Sequence, residues 1–184
     1  MKLKKATMED YDQIMDILRD GSNQLAEQGI DQWQGDYPNG DTVKKDIENG
    51  WALLAESDDG QTVGTIAVVD GPDESYAKMK GKWLIDTDKY VVLHRVAVHS
   101  NHAGKGYASK LFVSVIDYIK EHRQDVETIR IDTHIDNKIM QHLITKHGFK
   151  KVGEVYGYYR PDEVLYVYEM LTQGGDGQNT MFKN

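Results

Sequence analysis

The chain of 184 residues contains no cysteine. That absence removes disulfides, thiolate metal sites and any acyl-cysteine intermediate at one stroke. Proline is scarce, with three residues, and phenylalanine equally so. No apolar run approaches the roughly twenty residues needed to cross a bilayer, and the N-terminus lacks the pattern of a secretory signal. The expected setting is therefore soluble and cytoplasmic, with no membrane partner. Basic residues are also in deficit: 22 Lys and Arg against 30 Asp and Glu leave a formal charge of −8. A nucleic-acid partner, which wants a basic surface, is not expected, whereas a cationic substrate is compatible with this charge. Seven histidines are present, but none forms a His-x-x-x-His pair, so no metal site is expected.

What the chain does have is concentrated between Val96 and Leu111, reading Val-Ala-Val-His-Ser-Asn-His-Ala-Gly-Lys-Gly-Tyr-Ala-Ser-Lys-Leu. An apolar strand runs into a glycine-broken turn, and the turn runs into a helix. The helix follows from Ala108, Leu111, Phe112, Val115, Ile116 and Ile119, which repeat at the i, i+3, i+4 spacing of one helical face. Gly104 and Gly106 carry no Cβ and let backbone N–H groups approach a ligand. The helix start adds unpaired N–H groups and the positive end of its dipole, which together make an anion site suited to phosphate or pyrophosphate. The plain alternative is an ordinary strand-to-helix turn. Two nucleotide motifs fail here. A P-loop needs Ser or Thr after Gly-Lys, where this chain has Gly106. A dinucleotide fingerprint wants Gly or Ala at Ser109 and usually opens its domain, whereas about half of this chain precedes the turn.

The segment resembles the coenzyme A signature of the GNAT acetyltransferases, Gln/Arg-x-x-Gly-x-Gly/Ala after an apolar strand. Gly106-Tyr107-Ala108 supplies the Gly-x-Ala, and Ala103 stands where the family has Gln or Arg. A second stretch, Asn137 with Leu143, Lys146, Gly148 and Phe149, resembles the family's Asn-x-x-Ala-x-x-Leu-Tyr-x-Lys-x-Gly-Phe segment beside the pantetheine arm. The Tyr of that segment falls on Ile144.

The resemblance implies an α+β fold of three layers, α/β/α. It has a mixed, mostly antiparallel sheet of six to seven strands, splayed at a central parallel pair and flanked by about four helices. The expected domain spans residues 1–172, with a flexible tail at 173–184. The resemblance also implies acetyl-CoA as cofactor, held by Val96, Ala97 and Val98, by the turn Ala103, Gly104, Lys105, Gly106, Tyr107, Ala108 and Ser109, and by Asn137. It implies direct attack by an amine, with the Val98 N–H as oxyanion donor.

An ammonium of pKa near 10.4 must lose a proton before it attacks. His94 is the candidate base. Alternation along the strand puts it on one face with Val96 and Val98, and a histidine at this offset serves the arylalkylamine branch of the family. A buried structural histidine fits the position equally well. The acid is unassigned: Tyr156, Tyr158 and Tyr159 lie in the last hairpin, and a thiolate can leave unaided.

Trp33 and Tyr37, in the loop between the first two helices, are the candidate walls of the acceptor pocket, by stacking or cation–π contact. Each can equally be a loop anchor. Trp51, Trp83 and Leu84 read as packing residues. The expected activity is N-acetyl transfer to a small-molecule amine. The alternatives are a peptide amine as acceptor, or a coenzyme A-binding module without transferase activity. A homodimer is left open.

Smaller elements are legible too. Thr7 and Asp10 have the spacing of a capping box. Asp41 is placed to cap a short second helix, Asp58-Asp59-Gly60 to turn a hairpin, and Ile139 to face inward from the last helix.

Overall fold

A computed structural model describes residues 1–173. The expected flexible tail lies, from residue 174 on, outside the described residues. The chain sorts into two compact units. Among the described residues, the first comprises Met1–Val69 and Leu93–Tyr118, and the second comprises Asp70–Val92 and 119–173.

The first unit begins with strand β1 (Lys2–Lys5), a single 3-10 turn (Met8–Asp10) and helix α1 (Tyr11–Glu27). The Asp10 carboxylate accepts from the Thr7 N–H at 2.9 Å, closing the capping box that the sequence spacing anticipates. Helix α2 (Gly40–Glu48) follows. Its cap is Asn39 rather than Asp41: the Asn39 side-chain oxygen accepts from the Thr42 N–H at 3.0 Å. The extended backbone of Asn39 leaves its amide free to fold over the first turn, whereas Asp41 is already inside the helix. A Cβ on Gly40 would meet the Tyr11 hydroxyl, so a larger residue there would require the Tyr11 ring to shift.

Strands β2 (Ala52–Glu56) and β3 (Thr62–Asp70) pair antiparallel through the hairpin at Asp58–Gly60. The apolar faces of α1 and α2 bury Ile14, Met15, Ile17, Leu18, Val43 and Ile47 with Ala52, Leu54 and Ala97. Each fully buried aliphatic side chain of this cluster contributes about 1.5–3 kcal/mol.

Residues 70–89, expected as loop, contain a 3-10 turn (Glu74–Lys78) and a two-residue strand β4 (Lys80–Gly81). The short strand brings the sheet of the described residues to eight strands instead of six to seven. It pairs with strand β7 (Lys150–Tyr156), which also pairs with β8 (Val164–Leu171). Strand β5 (Tyr90–Val98) leads through a 3-10 turn (Ser100–His102) into helix α3 (Tyr107–His122), followed by β6 (Thr128–His134) and helix α4 (Lys138–Lys146). The strand order is β1-β2-β3-β5-β6-β8-β7-β4, mixed, with β5 and β6 as the parallel central pair.

On α3, the predicted inner face is buried at Leu111, Phe112, Val115 and Ile119. On α4, Ile144 is buried, but Ile139 is 67% exposed and does not face inward as expected. It sits in the first turn, just past the Asn137 cap, on the solvent side. In the second unit Trp83 is an anchor, lying 3.6 Å above the Arg130 guanidinium and 5.3 Å from the Tyr76 ring. Leu84, expected beside it as a packing residue, is exposed. Its backbone is what is held, by an N–H bond to Glu169 at 2.6 Å.

Candidate active site

Strand β5 ends in the residues on which donor binding is expected to fall. The His99 N–H bonds the Val63 carbonyl of β3 at 2.9 Å. Because strand edges alternate, the N–H and C=O of neighbouring Val98 project from the opposite edge. That edge carries the N–H expected to serve as oxyanion donor. Its carbonyl accepts from Gln24 Nε2 at 3.0 Å, so α1 braces the strand end from the side.

The next residues are fixed to the same helix. Asp20 accepts from the Ser100 N–H at 2.8 Å and the Ser100 hydroxyl at 2.6 Å, and Gln24 donates to it as well. Burial alone would raise the Asp20 carboxyl, but the Ser100 and Gln24 hydrogen bonds outweigh burial and pull it below its ordinary range. His99 Nδ1 accepts from the Asn101 N–H at 3.1 Å, while its Nε2 faces Asp16 at 3.3 Å. None of these side chains was singled out by sequence. Asp20 and Gln24, four apart on α1, were the available signal.

The turn itself is open. Ala103, Gly104, Lys105 and Gly106 are exposed. Gly104 and Gly106 have φ of +78° and +75°, a region that costs an ordinary residue about 1–2 kcal/mol. A Cβ at either position would meet nothing within 4 Å. Glycine there serves the backbone conformation and leaves the surface over the amides uncovered. The first helical bond of α3 runs from the Lys110 N–H to the Gly106 carbonyl at 3.2 Å. The N–H groups of Tyr107 and Ala108 therefore lie ahead of the helical ladder, as an anion site requires. Lys110 lies 5.5 Å from the Tyr107 ring centroid. An exposed glycine turn, forward-pointing amides and Lys105 fit the pyrophosphate of coenzyme A.

Gly106→Val is expected to weaken acetyl-CoA binding by roughly 10- to 100-fold, since each tenfold corresponds to about 1.4 kcal/mol. Gly106→Ala shares most of the backbone cost. Calorimetry on both variants separates strain from covering of the turn; equal affinities in wild type and Gly106→Val would remove the turn from the site.

Upstream, Arg95 interrupts β5 with φ of +53°. Face alternation does not carry across a left-handed residue, so the argument placing His94 on one face with Val96 and Val98 lapses. His94 is partly exposed and stands immediately before this kink. Arg95 turns onto α2, with Nε and Nη2 on the two oxygens of Asp46 at 2.6 and 2.7 Å, and Nη1 on the Tyr37 hydroxyl at 2.7 Å. Sequence reasoning missed this network. Its signals were an acid inside the apolar stripe Val43-Asp46-Ile47 and the polar pair His94-Arg95 inside an apolar strand.

Trp33, with φ of +62°, packs on the α1–α2 core and beside Gly21, and its carbonyl accepts from the Ser22 hydroxyl at 2.8 Å. These contacts are those of a loop anchor. Tyr37 is half-buried, with its hydroxyl engaged by Arg95.

In the second unit, Asn137 is a buried helix cap, its side chain accepting from the Met140 N–H at 3.1 Å. Ile144 is fully buried, so the position of the family's tyrosine is a core position here. Tyr156, Tyr158 and Tyr159 are exposed along the last hairpin. Tyr156 donates to Glu154, a bond that raises its pKa. Tyr76 donates to Asp132 at 2.6 Å. Burial first, then Asp132 and Asp73, push its pKa well above the usual value, and it stays protonated. Among the described residues no group of His, Asp and Glu could hold a metal ion.

The model of the Acetyltransferase (GNAT) family matches residues 12–149. The chain belongs to the GNAT acetyltransferase family. A solved GNAT acetyltransferase from Streptococcus agalactiae is 33% identical, with a TM-score of 0.80 over 92% of this chain and 94% of that one. A putative acetyltransferase from Staphylococcus aureus is 26% identical, with a TM-score of 0.67 over 94% and 99%. Spermidine N-acetyltransferase from Vibrio cholerae, solved in complex with CoA and spermine, shares the fold at 15% identity, with a TM-score of 0.68 over 94% and 95%. No curated protein matches the sequence. Family and fold place the chain among the acetyl-CoA-dependent N-acyltransferases. No described helix is long and apolar enough to cross a membrane.

Proposed function

We propose that the protein moves the acetyl group of acetyl-CoA to the primary amine of a small molecule by direct attack. The observation that carries this reading is the open turn at 103–109, with its two left-handed glycines and forward-facing amides following β5. Bound acetyl-CoA supplies an activated thioester carbonyl. The chain's own residues orient it and manage charge. The amides of the turn hold the pyrophosphate, and the Val98 N–H, on the edge away from β3, donates to the oxygen that gains charge during attack. His94 takes the proton from the ammonium, directly or through water.

Direct attack suits a chain without cysteine. Ile144 supplies no hydroxyl for the departing sulfur, but a thiol of pKa near 8.5 leaves as a tolerable anion. Tyr37 and Trp33 place the loop that faces the acceptor, and the charge of −8 favours a cationic amine.

The test is thiol release from acetyl-CoA over a panel of polyamines, arylalkylamines, amino sugars and short peptides. Turnover on small amines, with none on peptides, is the expected result. Turnover confined to peptides would overturn the small-molecule reading. Binding of acetyl-CoA without turnover on any amine would favour a coenzyme A-binding module, the reading to which the loss of the tyrosine at Ile144 points.

A further inference from the structure

Arg95 ties together three elements, and no part of the transfer chemistry above uses it. It holds a left-handed φ of +53° inside a strand, where nothing but its surroundings compels a non-glycine residue to stay. Its side chain is 9% exposed and that of Asp46 is 6% exposed. The carboxylate grips the guanidinium side-on, through Nε and Nη2. A planar guanidinium held by that edge has its remaining nitrogen fixed in direction. Nη1 is that nitrogen, and it ends on the Tyr37 hydroxyl at 2.7 Å. The place of Tyr37 is thus set in two steps, Asp46 orienting Arg95 and Arg95 orienting Tyr37.

Anchoring α2 to β5 would need only the Asp46 fork. The third bond reaches beyond it, into the segment between α1 and α2. Much of that segment, from Gln34 to Asp36, is exposed and makes its own bonds locally: Gln34 to the Ser22 and Gln32 carbonyls, and Asn39 to Asp36. Trp33 pins the segment at one end, by packing on the core. Tyr37 pins the other, through the charged hydrogen bond from Arg95.

We infer that Arg95 is a positioning residue for acceptor recognition: through its bond to the Tyr37 hydroxyl it latches the 31–39 loop to the strand that carries Val96–Val98. The inference rests on the acetyl-transfer reading for its consequence in catalysis, but not for the latch itself. Acceptor affinity then depends on one phenolic hydroxyl that need not touch the acceptor. Lysine cannot replace Arg95, because an ammonium has no planar fork to transmit direction from Asp46 to Tyr37.

Tyr37→Phe and Arg95→Lys test this in the full chain, by two measurements. The first is amide hydrogen exchange across residues 31–39 of the protein alone. Both variants are expected to exchange there roughly tenfold faster than wild type, the scale of one lost charged hydrogen bond, with β2 and β3 unchanged. The second is steady-state kinetics with the best-turned-over amine of the panel. For Tyr37→Phe the amine KM should rise about tenfold, while the acetyl-CoA KM stays at the wild-type value. Unchanged loop exchange in Tyr37→Phe overturns the latch. So does an acetyl-CoA KM that rises in step with the amine KM, which would mark a general loosening. Faster loop exchange in a protein that acetylates no amine would uphold the latch and sink the transfer reading.

Discussion

His94→Ala is expected to lower kcat/KM for the amine by about 10²–10⁴-fold, the range that a positioned proton acceptor contributes. Acetyl-CoA affinity should be nearly unchanged, because the turn proposed to receive the pyrophosphate begins nine residues later. The acidic limb of the pH profile should flatten in the variant, since that limb reports the group that must be unprotonated to accept the ammonium proton. His94→Gln keeps a hydrogen-bonding side chain but cannot titrate, and should show the same flattening. The kink at Arg95 makes this test necessary, because the register argument for His94 stops there. If His94→Ala melts lower but keeps its acidic limb, His94 is a structural histidine and the base lies elsewhere.

Glu169→Ala should give the largest loss of stability. Glu169 is fully buried on β8 and takes three donors: the Thr128 hydroxyl at 2.8 Å, Arg130 Nε at 3.0 Å and the Leu84 N–H at 2.6 Å. Arg130 is buried too, lying 3.6 Å from the Trp83 ring centroid and 4.1 Å from that of Tyr90. Alanine would leave a guanidinium uncompensated in the interior and take the Leu84 N–H's acceptor away, while the Thr128 hydroxyl keeps the Met170 carbonyl at 3.1 Å. Removing one partner of a buried pair costs about 3–5 kcal/mol. At ~2–4 °C per kcal/mol for a chain of this size, thermal unfolding should fall by roughly 10 °C. The double variant Arg130→Met/Glu169→Leu should recover much of that loss, since an apolar pair needs no desolvation of charge. A loss below about 1 kcal/mol in Glu169→Ala would mean that water reaches Arg130 and that the pair is not an internal one.

The parts of the fold that follow from local periodicity were legible in the sequence. Leu111, Phe112, Val115 and Ile119 gave α3 its buried face, and Thr7 with Asp10 gave the entry to α1 its cap. The turn at 103–109 was legible as a turn because two glycines between an apolar strand and an amphipathic helix mark a backbone of positive φ. What escaped were features decided by distant partners. Arg95 combines a left-handed φ with a guanidinium bound to Asp46, forty-nine residues away, and no local pattern announces either. Two-residue β4 exists through its pairing with Glu154 and Gly153, which no propensity at Lys80 and Gly81 announces. Asn39 displaced Asp41 as a cap because the chain enters α2 two residues earlier than the acid suggested. The candidate site divides in the same way. The half proposed for the donor is backbone geometry written in glycines, whereas the half proposed for the acceptor depends on long-range side-chain bonds at Tyr37 and Arg95.

The most direct test of the central claim is an amide NMR titration of the protein with acetyl-CoA. The account predicts that the largest shifts fall on Gly104–Ser109 and on Val96 and Val98, with saturation at one equivalent. Shifts confined to other segments, with the 103–109 amides unmoved, would contradict it.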